Sequence, residues 1–136
     1  VTDDGDQHRR VDVLGIVLIC ACAVLLAILE VMLVPLYWGS VIVPISAVLA
    51  VLGNWIFPRV GFRMAGRVGA VLPLLLWLVV VFALGLMPRP EGDVMVPGAG
   101  APEYVFFAVL FGGSVVGVIS AVIVTTPRPA TPDRTD

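Results

Sequence analysis

The chain contains no lysine, and its eight basic residues are all arginine. It has one histidine, two cysteines and only 13% charged residues in 136. Each shortage excludes something. A metal centre needs three or four converging ligands, and His8 with Cys20 and Cys22 does not supply them. Two residues apart on a helix point to nearly opposite faces, so Cys20 and Cys22 neither share a metal nor pair with each other. They read as small apolar filler. The net charge of −2 leaves no basic footprint for nucleic acid. No glycine-rich phosphate loop follows a strand, no CxxC occurs, and no Ser/His/Asp set is at hand. Enzymatic activity, cofactor and metal are therefore not expected.

What is present is apolar surface. Hydrophobic residues make up 60% of the chain and mean hydropathy is +1.07, against about 45–50% apolar in soluble domains. A chain this short cannot bury so much inside itself, so the missing solvent is lipid. The lack of lysine and the abundance of Val, Ala, Gly and Pro fit a GC-rich coding sequence. Val1 fits a GTG start codon, which would make it the true N-terminus.

Four apolar runs alternate with polar breaks. Residues 1–12 form a polar tail. Val13–Leu29 is 17 uninterrupted apolar residues, about 25 Å as a helix, and Val31–Leu36 extends it past Glu30. The first transmembrane helix is placed at 13–36, retained rather than cleaved as a signal peptide. Tyr37–Ser40 reads as a tight turn with interfacial aromatic rings. The second span is placed at 41–57, near the lower length limit, with Pro44 in its first turn. Residues 58–67 are a break, in which Arg59, Arg63 and Arg67 would share one face of any helical continuation. The third span is placed at 68–87. Trp77 lies near its middle, where the indole N–H needs a partner or a facing helix. Residues 88–103 form the main outer loop. The fourth span is placed at 104–125, and residues 126–136 form a Pro-rich, disordered tail.

Arginine placement sets the orientation. Both tails and the 58–67 break hold seven arginines, and the opposite side holds only Arg89. The positive-inside rule then puts both termini in the cytoplasm. Small residues mark helix contacts. Gly113, Gly117 and Ala121 form a GxxxG ladder, with Ala108 and Gly112 beside it. Ala23 and Ala27, Ser46, Ala50 and Asn54, and Gly66 and Ala70 form shorter rows. These rows pack the four helices of one chain, or pair the fourth span with a second copy or another membrane protein.

Glu30 is the one charge well inside an apolar run, and such residues are functional candidates by default. It is placed near the outer boundary, where Arg89 at the start of the outer loop offers a counter-charge. A structural pair, a snorkelling carboxylate, and a proton- or cation-binding group are the three readings. Glu91 and Asp93 offer oxygens to a hard cation, but their spacing fits no calcium loop. A soluble turn is the simpler account.

Four short spans with RPEGD at 89–93 and VMVPG at 94–98 resemble a family of small actinobacterial membrane proteins of unknown function. That resemblance spans roughly residues 13–125 and implies no activity. AILEV, Ala27–Val31, is similar to the surroundings of the proton-exchanging first-helix glutamate of small multidrug resistance transporters. The third span departs from that family's aromatic and glycine-rich helix. The expectation is an all-α integral membrane four-helix bundle in the bacterial inner membrane. Its expected role is that of a non-catalytic accessory or scaffold subunit, with proton-coupled transport through Glu30 as the alternative.

Overall fold

The structure, a computed structural model, describes residues 3–38, 41–86 and 101–127. The elements are α1 (Asp3–Leu33), β1 (Tyr37–Trp38), β2 (Val41–Ile42), α2 (Ile45–Leu86), α3 (Ala101–Phe107), a π-helical turn (Ala108–Gly112) and α4 (Gly113–Thr125). Three helical runs, Val13–Leu33, Ile45–Gly85 and Pro102–Thr125, are long and apolar enough to cross a membrane.

Several boundaries differ from the sequence-based expectation. The first helix begins at Asp3, so the polar segment before Val13 continues the helix. It ends at Leu33, two residues before Pro35, because the residue preceding a proline disfavours the helical region. The expected YWGS turn is flanked by a short antiparallel pair, Tyr37 opposite Ile42 and Trp38 opposite Val41. The Val43 amide adds a hydrogen bond to the Leu36 carbonyl at 2.9 Å. Val41 and Ile42 therefore belong to a strand, and α2 starts after Pro44, at Ile45.

The largest correction concerns residues 58–67. They are not a loop: helix continues through Pro58 to Met64 and is broken at Ala65 and Gly66 alone. Gly66 adopts φ +58°, ψ −138°, a conformation that glycine reaches without steric cost. The chain reverses there. Gly61 and Gly69 pack backbone to backbone, and a Cβ on either would collide with the carbonyl of the other. Eight residues along a straight helix lie about 12 Å apart, so this contact requires two arms, 45–64 and 67–86, folded against each other. The break falls before Arg67, which therefore leaves the face that Arg59 and Arg63 share.

Side-chain contacts fix the register of the bundle. Gly15 meets Met64, and Gly53 meets Leu26. Eleven residues separate these contacts on either helix, so α1 and the first arm run antiparallel. Gly85 meets Phe106, Gly113 meets Trp77, and Gly117 meets Leu74, so the second arm runs antiparallel to the α3–α4 segment. The Ala65–Gly66 turn, the Gly15 end of α1 and the Thr125 end of α4 share one end of the bundle. The strand pair and α3 share the other.

The core is a thin seam. Ile19, Ala23, Ala27, Glu30 and Val31 line the buried face of α1, at the three- and four-residue spacing of one helix face, and Val34 just beyond it is buried as well. Ser46, Ala50 and Asn54 do the same for the first arm, and Leu74, Trp77 and Val81 for the second. Outside the seam, large aliphatic residues such as Leu14, Leu18, Leu25, Val48, Val79 and Val118 are exposed. In water such a surface would drive aggregation; in lipid it is the expected exterior.

Candidate functional site

Among the described residues, four polar side chains are fully buried: Glu30, Ser46, Asn54 and Ser120. Glu30 holds its place by helix geometry. It sits three residues after Ala27 on the inward stripe of α1, and alanines at 23 and 27 allow the neighbouring helices to approach. Its Oε2 accepts a hydrogen bond from Trp77 Nε1 at 2.7 Å. The partner that the mid-span indole needed is thus the carboxyl group itself. Trp77 stands half-way along the second arm, so the bond draws the Glu30 carboxyl toward the middle of the bundle rather than its rim. Arg89, the counter-charge expected from the sequence, lies outside the described residues, as do Glu91 and Asp93.

Three oxygens in the seam have no hydrogen-bond partner among the described residues: Glu30 Oε1, Ser46 Oγ and Asn54 Oδ1. Asn54 donates from Nδ2 to the Ala50 carbonyl at 3.0 Å. The antiparallel register of α1 and the first arm sets Glu30 level with Leu49, about one turn from Ser46 on one side and about one and a half turns from Asn54 on the other. A buried, unpaired acceptor costs about 1–3 kcal/mol.

The small residues divide into two groups. Gly113 and Gly117 are buried and used inside the chain. A Cβ on Gly113 would stand 2.6 Å from Trp77 Cη2 and 3.0 Å from Asn54 Nδ2, and one on Gly117 would collide with Leu74. Ala121 is also buried. By contrast, Ala108 is exposed and Gly112 meets nothing closer than Val51 Cγ2 at 3.8 Å, so they form no close-packed row. Gly66 lies at the reversal, and a Cβ added to it would meet nothing within 4 Å.

A family model described as a family of unknown function (DUF6113) matches residues 7–135. The chain belongs to that family. No curated protein and no solved structure matches it. The match covers both the seam and the cluster at the turn end of the bundle.

That cluster was not singled out from sequence. Arg59 Nη1 donates to the Trp55 carbonyl and to Ser120 Oγ, and Ser120 Oγ donates to the same carbonyl at 2.8 Å. The guanidinium carbon lies 3.4 Å above the centre of the Trp55 ring, a cation–π arrangement. The i to i+4 relation of Trp55 and Arg59 was visible, but Ser120 is 61 residues away from Arg59. Among the described residues no group of three or more His, Cys, Asp or Glu side chains is placed to hold a metal.

Proposed function

We propose that this is a four-crossing inner-membrane protein with both termini in the cytoplasm, acting as a non-catalytic accessory or scaffold subunit. The observation that carries the reading is the inward closure of its distinctive residues. Glu30 is bonded to Trp77 across helices, and the GxxxG glycines pack against Trp77, Asn54 and Leu74 of the same chain. Each arm of the α2 hairpin has the length of one crossing. The reversal at Gly66 sets Arg59, Arg63 and Arg67 near the end of the bundle that holds Gly15 and Thr125, an arrangement that supports the positive-inside reading. What remains for a partner is the lipid-facing aliphatic surface and the outer loop.

Purification of the tagged chain in mild detergent tests this. A stoichiometric membrane partner, retained in Glu30→Gln, is the expected result. No partner at any detergent strength refutes it.

The oxygens without a partner among the described residues favour one second reading, proton-coupled transport through Glu30. Intramembrane carboxyl groups beside other polar side chains mark ion and proton pathways. In reconstituted vesicles, that reading expects a proton-driven flux that Glu30→Gln abolishes. A flux equal in wild type and variant removes it.

A further inference from the structure

A cleft of about 680 Å³ opens at the turn end of the bundle, between the first arm and α4. Its walls are Arg59, Phe62 and Arg63 on one side and Ile123, Val124 and Thr126 on the other. We infer that this cleft binds an anionic phosphate group, held by Arg59 and Arg63 over an apolar floor of Phe62, Ile123 and Val124.

Both arginines line the cleft, one helical turn apart, and no carboxylate lines it among the described residues. Like charges at this spacing repel, so an anion between them removes a cost as well as adding contacts. Arg59 is held in place for the task. Its Nη1 is fixed by the Trp55 carbonyl and Ser120, and its face rests on the Trp55 ring. A guanidinium has five N–H donors in a rigid fork, so most of its donors are left for a ligand. Planar forks of this kind match phosphate oxygens in pairs.

The position narrows the ligand class. The cleft lies where the apolar run Pro102–Thr125 ends, the depth of lipid headgroups. Its volume falls within the range of small-molecule sites, about 300–1,000 Å³. A cationic wall over an apolar floor suits an amphiphile with an anionic head and a hydrocarbon chain. Basic pockets between transmembrane helices take anionic lipid headgroups for this reason. The same two arginines would also accept a free phosphate, so the source of the phosphate is a matter for the test.

The full chain is reconstituted in nanodiscs of phosphatidylcholine with or without phosphatidylglycerol. Lipid retained after transfer to detergent is read by native mass spectrometry. A second arm adds inorganic phosphate to the lipid-free protein in detergent and reads thermal unfolding. Phosphatidylglycerol is expected to be retained over phosphatidylcholine, with retention falling as salt rises. Arg63→Gln is expected to weaken it about fivefold, and Arg63→Lys to keep most of it. Arg63 makes no hydrogen bond to the bundle among the described residues, so its loss tests the ligand rather than the fold. Stabilisation by inorganic phosphate without lipid preference assigns the site to a free phosphate and keeps the inference. Equal retention of both lipids together with no response to phosphate overturns it, as does Arg63→Gln indistinguishable from wild type in both arms.

Discussion

Trp77 and Glu30 make the one described side-chain hydrogen bond that ties α1 to the second arm of α2, and its worth can be measured. Trp77→Phe removes the indole donor and leaves both carboxyl oxygens without a partner among the described residues. Inter-helical hydrogen bonds in membrane proteins average about 0.6 kcal/mol and reach about 1.7. The 2.7 Å distance and complete burial place this one toward the upper end. Replacing indole by phenyl also leaves a void facing Gly113, which adds about 1 kcal/mol. The expected total is about 2–3 kcal/mol. Glu30→Gln keeps an acceptor oxygen for the indole and should cost less than about 1 kcal/mol. Glu30→Leu strands the indole N–H instead and should cost about 1–3 kcal/mol. The double variant Glu30→Leu with Trp77→Phe removes donor and acceptor together, so its cost should fall about 1–2 kcal/mol short of the sum of the single costs. Reversible unfolding of all four proteins in mixed micelles, followed by circular dichroism, gives the cycle. A coupling below about 0.3 kcal/mol, within the additivity of independent sites, would mean that the bond does not hold the helices.

Three further outcomes follow from the contacts. Gly113→Ala forces a methyl group to 2.6 Å from Trp77 and should destabilise by about 1–3 kcal/mol, whereas adjacent Gly112→Ala meets ordinary spacing and should be neutral; equal Tm shifts for the two would contradict the packing. Gly61→Ala should abolish accumulation of folded protein, because its methyl group meets backbone rather than a flexible side chain, and size-exclusion profiles in detergent would show this. Ser120→Ala should cost about 1 kcal/mol by removing one acceptor for Arg59, and Ser114→Ala, on a half-buried position with no described side-chain bond, should leave the unfolding midpoint unchanged.

The sequence showed the membrane class and the apolar runs directly, because those depend on composition over stretches of about 20 residues. It also marked Glu30, and it marked Trp77 as an indole in need of a partner. It did not join them, since nothing in either run specifies which faces meet across 47 residues. The α2 hairpin was misread for a local reason. Three arginines and a proline within residues 58–67 look like a loop, yet arginine is a good helix former and Pro58 is tolerated where neighbouring helices cover the freed carbonyl. Only Ala65 and Gly66 carry the reversal. Arg59 was visible as a topological charge, but its bond to Ser120 depends on how α4 lies against the first arm.

The π-helical turn at Ala108–Gly112 has a consequence for chain length. Val105, Val109, Gly113, Gly117 and Ala121 are all buried, although a strict four-residue row drifts about 40° per step around an ordinary α-helix. The wider turn, closing i to i+5, takes back part of that drift and keeps the row facing inward. A π turn is equivalent to one residue inserted into an α-helix. Deleting one residue between 108 and 112 should therefore leave a continuous α-helix of normal pitch that still spans, with Val105 and Phe106 still directed toward Gly85. Across the family, a one-residue gap at this point would exchange the π turn for an α turn, with the contacts of Phe106 and of Gly113 and Gly117 on either side of it left in place.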